Sequence, residues 1–455
     1  MAIIIISILL VGAALIVSEN FTNVNKSAVA VFSAAIAWVL YICYGYDFVD
    51  ARYHDAYLSF LDGAPGSSMM VKEFIASNIF IKYVGRAAEI VLFLLATMTI
   101  VEILVNNGCF DFFADFMKTK RRWRLLWITA ILTFVVSANL DNLSTMIIMI
   151  VVMHKIVANR LQRMILSSVI LISANCGGAL TVIGDPTGLL LWNTCHVTAT
   201  NYSLSLLMPI LCAWLIPVYL LGRMLPDHID IESYVMPYRG DATNLNTVQR
   251  LIMLLVGIGG LWFIPTFHNI TRLSPFLGAL CVLAVLWVVN EFFNRTLLRA
   301  EDNIQRRIPR VLQYGVLQMI MYVMGLLLAL GVVVETGFTD IVSSFFYNNI
   351  NNVWIDGVLA GSISVFVDNI LTSFTFITIN PPSGVADYAQ NGIYWKIIAY
   401  TTATAGNIFL IGSIGGLALK KTENLRLGWY FRNVGVKCLI GCVVGYIVMI
   451  LINIL

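Results

Sequence analysis

The sequence predicts an all-α polytopic membrane protein from its composition, the recurrence of apolar segments of spanning length, and the placement of its basic residues. Of its 455 residues, 59% are hydrophobic and 12% charged, and the mean hydropathy is +0.85. A soluble domain carries about a quarter charged residues. The formal charge of +3 is too small to indicate nucleic-acid binding. A span needs about 20 apolar residues. Candidate segments lie at 2–18, 27–46, 83–106, 125–153, 164–195, 204–224, 248–267, 275–292, 311–334, 353–379, 395–419 and 434–454. The first lacks the basic flank of a secretory signal and is expected to be a retained helix. The eight cysteines show neither metal nor disulfide spacing and are expected to be packing thiols.

Charge placement argues against twelve simple spans. The stretches 118–124, 155–163, 295–310 and 420–432 are basic, whereas 196–203, 335–352 and 380–394 contain no Lys or Arg. Basic loops belong on the cytoplasmic side. If 125–153 or 353–379 crossed, loops of like character would fall on opposite sides. The conflict disappears if both segments are re-entrant hairpins. The chain is then expected to cross about ten times, with both termini and the segment 47–82 outside the cell membrane.

The hairpins share a signature. The first reads SANLDNLSTM over 137–146, and the second SVFVDNILTS over 364–373. Similar phrases precede them, TIVEILVNNGCFDFF (99–113) and GVVVETGFTDIVSSFF (331–346). Glycine-broken segments follow, ANCGGALTVIGDPTG (174–188) and TAGNIFLIGSIGG (404–416). Aligning Gly184 with Gly412 pairs Gly178 with Gly406 and Asp185 with Ser413. The expected organisation is therefore two inverted-topology repeats. Residues 1–224 hold hairpin 125–158 and broken helix 164–195; a cytoplasmic linker spans 225–247; residues 248–455 hold hairpin 353–379 and broken helix 395–419. Such repeats mark secondary transporters, whose sites lie near the midplane at broken helices.

Asp141, Asp185 and Asp368 carry the chemical argument. A carboxylate at bilayer depth costs several kcal/mol on insertion scales, so it is rarely kept without a task or partner. Asn142, Asn175, Thr187, Asn369, Asn407 and Ser413 supply neutral oxygens around them. A hard cation takes several oxygen ligands, and a carboxylate can hold either that cation or a proton. No basic residue is expected inside either hairpin or broken helix. The three aspartates are thus candidate sodium ligands whose charge sodium and protons compete for. Glu102 and Glu335 occupy matching places and are divided between helix-end structure and a transport role. Arg86 and Glu89 suit a local ion pair, and His154 and Lys155 are expected to be interfacial.

At these residues the sequence resembles the NhaD-type sodium/proton antiporters of the ion transporter superfamily, which also holds arsenite and citrate permeases. The matching phrases are AAEIVLFLLATMTIVE (87–102), SANLDNLSTM, SANCGGALTVIGDPTGLLLW (173–192), FVDNI (366–370) and IAYTTATAGNIFLIGSIGGLAL (398–419). The resemblance implies sodium or lithium export driven by proton entry, through an inner-membrane homodimer with a scaffold and a moving transport domain. It implies no cofactor beyond the transported Na+ (or Li+) and H+, and ion-site roles for the six aspartate, asparagine and threonine positions 141, 142, 175, 185, 187 and 368 together with Asn369 and Ser413. The chain departs from the family pattern at Pro186, Ala405 and Asn407.

Two other functions compete for these residues. A proton- or sodium-coupled carrier of an anion such as a dicarboxylate fits the architecture, but an Asp at each hairpin tip would repel the anion unless protonated or sodium-bound. An intramembrane aspartyl protease, the enzymatic alternative, is offered only Tyr46-Asp47; Val182 stands where its Gly-x-Gly-Asp phrase needs the first glycine.

Overall fold

A computed structural model describes the whole chain except residues 23, 63–64, 111, 232–244, 295–313, 351, 381–384 and 455. The basic stretch 295–310 and most of the 225–247 linker therefore lie outside the described residues. The described elements are helical, with only two isolated β-bridges. Apart from the short turns Glu19–Thr22, Phe112–Phe116 and Ala386–Tyr388, in order they are α1 (Ala2–Val17), α2 (Lys26–Cys43), α3 (Gly45–Leu61), α4 (Ser68–Asn106), α5 (Arg122–Asn139), α6 (Asn142–Ile156) and α7 (Arg160–Leu180). There follow α8 (Pro186–Asn193), α9 (Ala199–Gly222), α10 (Thr247–Thr271), α11 (Pro275–Phe293) and α12 (Tyr314–Glu335). The rest are α13 (Phe338–Asn349), α14 (Val353–Ser364), α15 (Asn369–Ile379), α16 (Ile393–Ala405), α17 (Ile414–Glu423) and α18 (Leu427–Asn453). Among the described residues, eight helices are long and apolar enough to cross a bilayer. The protein is a multi-pass membrane protein.

One boundary differs from expectation. The third span, placed at 83–106, begins at Ser68 and runs for 39 residues, about 58 Å at the helical rise. Its early part is amphipathic, burying Val71, Phe74, Ile75 and Ile79; interspersed Lys72, Glu73 and Lys82 lower its hydropathy and hide it from a hydropathy reading. A π-helical stretch, Ile75–Phe80, lies within it. The segment 47–82 thus holds helix rather than a plain connection.

The chain forms two compact units, and each draws on both halves of the sequence. The first comprises Met1–Leu92, Tyr314–Asn352 and Phe374–Pro381. Here α2 packs along α12: Ser27 Oγ donates to the Gln318 carbonyl at 2.7 Å, and Trp38 Nε1 to that of Leu328 at 3.0 Å. At the end of α12 the Glu335 carboxylate, 2% exposed, accepts from the hydroxyls of Tyr83 (2.7 Å), Tyr53 (3.0 Å) and Tyr41 (3.4 Å). Glu335 is therefore a structural hub, tying α2, α3 and α4 to α12.

The second unit comprises Phe93–Gln313, Val353–Ser373 and Pro382–Leu455. Within it α5 packs on α7, α14 on α16, α9 on α18 and α10 on α11. Asn107 Nδ2 donates to Asn290 Oδ1 at 2.7 Å, joining α11 to the turn after α4. The first segment expected to be a hairpin is two helices, α5 and α6, broken at Leu140 and Asp141. Its two ends meet one short strand of linker. Ile229 N–H donates to the Lys120 carbonyl at 3.0 Å before α5, and Val157, just after α6, forms an isolated antiparallel bridge with Ile231. Residues 164–195 divide into α7 and α8, 353–379 into α14 and α15, and 395–419 into α16 and α17.

Candidate functional site

The breaks follow from local chemistry. After α7 the backbone turns extended at Thr181, and helix resumes at Pro186. Proline suits that first helical position, because its φ is pre-set and its missing N–H would have no intrahelical partner. Asp185 caps the new helix, its Oδ2 accepting from Thr187 N–H at 3.0 Å. In the second half, α16 stops at Ala405 and Ser413 caps α17, its Oγ accepting from Gly416 N–H at 3.0 Å. Carboxylate and hydroxyl do the same backbone job at aligned positions.

The hairpin tips lie against these breaks with repeated bonds. Ser137 Oγ donates to the Ala174 carbonyl at 2.6 Å, and Ser364 Oγ to the Thr402 carbonyl at 2.8 Å. Asn142 N–H donates to the Gly184 carbonyl at 3.1 Å, and Asn369 N–H to the Gly412 carbonyl at 3.0 Å. Close approach requires glycine here. A Cβ on Gly184 would stand 2.7 Å from the Ser137 oxygen, and one on Gly412 2.7 Å from the Ser364 oxygen. Ser137 and Ser364 escaped the sequence reading, although each opens its hairpin phrase.

Side chains then connect the halves. Asn142 Nδ2 donates to Asp185 Oδ1 at 2.9 Å and approaches Asn175 Oδ1 at 3.5 Å. Asn175 Nδ2 donates to Asn407 Oδ1 at 2.8 Å and Ser413 Oγ at 3.2 Å. Thr187 and Ser373 share a hydroxyl hydrogen bond of 2.8 Å; Ser373, in the second Asp-Asn phrase, is a partner that sequence reading did not assign. Asp185, Asn142, Asn175, Asn407 and Ser413 thus form one polar chain, and all lie in the second unit. Tyr430 Oη, donating to the Asn407 carbonyl at 2.9 Å, steadies its far end.

The other aspartates stand at the hairpin tips. Asp141 is 2% exposed; its Oδ1 accepts from Ser144 N–H at 2.8 Å, while the buried Oδ2 has no hydrogen-bond partner among the described residues. Asp368 caps α15 loosely through Ile370 N–H at 3.5 Å. Among the described residues, no three His, Cys, Asp or Glu side chains converge as a metal cage. A cation held here would rest on fewer carboxylates supplemented by amide, hydroxyl and backbone oxygens.

Electrostatically the site mixes signs. The N-terminal ends of α6, α8, α15 and α17 bring partial positive charge, and the C-terminal ends of α5, α7, α14 and α16 bring carbonyls. The expectation of no basic residue in these segments fails twice: at Lys155, in the last turn of α6, and at Lys396, 7% exposed, in the first turn of α16. Along the helix Lys396 stands about 16 Å from Asn407, so it is not a counter-ion within the polar chain. All eight cysteines are free.

Paired broken helices facing polar hairpin tips define a membrane transporter. Residues 2–405 match the citrate transporter family, and the chain belongs to that family. It is 27% identical over 431 residues to sodium/proton antiporter 1 of Arabidopsis thaliana, covering 93% of this chain and 68% of that protein. It is 26% identical over 420 residues to the Na(+)/H(+) antiporter NhaD of Vibrio parahaemolyticus, covering 87% of this chain and 92% of the relative. A similar match, 25% over 466 residues, covers 97% of this chain and 89% of the NhaD antiporter of Vibrio cholerae. The resemblance drawn from the Asp-Asn phrases is borne out.

Proposed function

We propose that the protein is a sodium/proton antiporter, a carrier rather than an enzyme, in which Asp185, Asp141 and Asp368 bind Na+ and H+ alternately. The observation that carries this reading is the buried chain from Asp185 through Asn142 and Asn175 to Asn407 and Ser413. It offers a carboxylate and several neutral oxygens in one place, with no basic side chain hydrogen-bonded into it among the described residues. The named activity of the plant and Vibrio relatives supports the same reading.

In this mechanism the aspartates do the exchange. Deprotonated Asp185 binds sodium with amide and hydroxyl oxygens completing its shell; a proton arriving at the carboxylate cancels the charge and releases the ion. The repeated hairpin bonds support two inverted repeats whose tips re-enter from opposite faces, and the common linker contact of the first hairpin's ends supports its re-entry. Both termini would then lie outside, with sodium leaving against entering protons.

A second reading has a specific observation behind it. The matched family is described as a citrate transporter, and helix N-termini attract anions. An anion would require the aspartates to be protonated or already bound to sodium. Dye-quench assays in proteoliposomes with sodium, lithium, potassium and dicarboxylates separate the two. Antiport predicts proton movement with sodium or lithium alone, lost in a folded Asp185→Asn or Asp141→Asn protein. Proton movement requiring a dicarboxylate would favour the anion carrier, and intact sodium exchange in Asp185→Asn would refute the assignment.

A further inference from the structure

A cavity of about 320 Å³ opens in the first unit, between the turn that joins α2 to α3 and the beginning of α4. The turn and the first residues of α3 contribute Tyr44, Tyr46 and Asp47, and Tyr57 comes from further along the same helix. Gly66 and Val71 close the side toward α4. The volume lies at the small end of the range for ligand pockets, about 300–1,000 Å³. It suits an organic group rather than a bare ion.

Tyr57 is the residue in it that packing does not explain. It is 8% exposed, and Phe74 holds its ring edge-on at 5.5 Å between centroids. Its hydroxyl nevertheless has no hydrogen-bond partner among the described residues. A buried tyrosine hydroxyl usually finds one, because a bare polar group away from water is costly. Tyr53, four residues earlier, does so by donating to Glu335 at 3.0 Å. The Tyr57 hydroxyl stands at the cavity wall: a Cβ on Gly66, which lines the same cavity, would lie 3.5 Å from it. Tyr44 and Tyr46 are exposed and resemble the tyrosines that mark membrane interfaces. Tyr57 does not, since an interfacial tyrosine keeps its hydroxyl among water and headgroups.

The lining selects the chemistry of a ligand. Among the described lining residues Asp47 carries the only charge, so a cation is favoured over an anion. Tyrosine rings beside a carboxylate suit an organic ammonium. A quaternary ammonium has no N–H and would leave the Tyr57 oxygen bare. A primary ammonium has three donors, enough for that oxygen, for Asp47 and for water or a backbone carbonyl. Location indicates what carries the amine. Helix α2 is one of the spanning helices, and its last residues, Ile42 and Cys43, line the cavity. The cavity therefore lies where a span ends, at the level of lipid headgroups. A phosphate joined to the amine would meet Ser68 at the start of α4, where free backbone amides favour negative charge.

We propose that this cavity binds a primary ammonium group, carried by the phosphoethanolamine headgroup of a membrane lipid. The Tyr57 oxygen accepts one ammonium hydrogen, and Asp47 supplies the opposite charge. A headgroup held there ties the turn after α2 to the beginning of α4, two of the helices that the Glu335 hub also joins. The ion-site candidates all belong to the second unit, so the headgroup site stands or falls without reference to sodium exchange, and its test reads binding rather than transport.

The test titrates the full chain, purified in detergent, with short-chain phosphatidylethanolamine, phosphatidylcholine and phosphatidylglycerol, and with free ethanolamine. The ethanolamine lipid should bind at least about fivefold more tightly than the choline lipid, which lacks N–H donors. It should also outbind the anionic glycerol lipid. Tyr57→Phe should weaken the ethanolamine lipid at least about fivefold through the lost hydrogen bond. Asp47→Asn should weaken it about two- to fivefold, as befits an exposed charge pair. Gly66→Leu, whose side chain begins 3.5 Å from the Tyr57 hydroxyl, should abolish binding with the tyrosine still in place. Tyr347→Phe, at an exposed tyrosine of the same unit, should bind as wild type. Folding is checked separately: Tyr57→Phe removes only an unpartnered hydroxyl, so without lipid it should melt no lower than wild type. Equal binding of the ethanolamine and choline lipids, or a folded Tyr57→Phe protein that binds like wild type, would overturn the proposal. Tighter binding of the glycerol lipid would overturn it too. Free ethanolamine binding as tightly as the lipid would place the amine in solution and overturn the headgroup assignment.

Discussion

Asn175 links Asn407 and Ser413 to the polar chain that begins at Asp185, and its removal has a calculable consequence. Its Nδ2 donates to Asn407 Oδ1 at 2.8 Å, and the two residues are 3% and 2% exposed. A buried amide hydrogen bond contributes about 0.5–1.5 kcal/mol net, and an orphaned buried partner costs about 1–3 kcal/mol. If bound sodium needs this chain intact, Asn175→Ala and Asn407→Ala should each weaken sodium binding. The double variant should be better than their product by the energy of the shared bond. That coupling corresponds to about two- to twelvefold in the binding constant. Sodium titrations of wild type, both single variants and the double variant close the cycle. Asn107→Ala, which breaks the separate bond to Asn290, should combine with Asn407→Ala additively, within about 0.5 kcal/mol. Additivity for Asn175 and Asn407 of the same quality would refute the claim that one polar chain serves both half-sites.

Three further outcomes follow from particular contacts. Gly412→Ala would set a Cβ 2.7 Å from the Ser364 carbonyl oxygen; overpacking of this kind costs about 1–3 kcal/mol, so sodium affinity should fall, whereas Gly259→Ala, with nothing within 4 Å, should leave titrations unchanged. Tyr83→Phe removes the 2.7 Å bond to buried Glu335 and should lower the melting temperature of the detergent-solubilised protein more than Tyr41→Phe, whose bond is 3.4 Å; equal shifts would contradict the hub. Single cysteines near 118 and 160 should label only from the cytoplasm and those near 345 and 388 only from outside; opposite-side labelling within either pair would sink the re-entrant topology.

Much of the site was legible in the sequence because its chemistry is local. An Asp-Asn pair at a hairpin tip and glycines six residues apart at a break are short-range signals, and their recurrence fixed which residues to compare. The aligned capping of Asp185 and Ser413 follows from that comparison. Long-range partners were not legible. Tyr41, Tyr53 and Tyr83 are 252 to 294 residues from Glu335, and nothing near Glu335 announces them. Glu423 reads as part of a basic connecting stretch, because its partners His154 and Arg163 lie 269 and 260 residues away in the chain. Helix α4 was cut short for a different reason: hydropathy averages over faces, so a segment with one buried face and spaced charges reads as a loop. Lys396 was passed over because apolar neighbours surround it in the chain, including Trp395 and Ile397.

The central claim, that sodium and protons compete for the same carboxylates, is tested most directly by calorimetric sodium titration at several pH values, in buffers of differing ionisation enthalpy. Where the site is mostly protonated, the apparent sodium constant should worsen about tenfold per pH unit for each proton displaced, because one pKa unit corresponds to about 1.36 kcal/mol. Protons should be released on binding, and by linkage sodium should weaken proton binding by the same factor. Sodium binding that releases no protons and holds constant across pH would contradict the account.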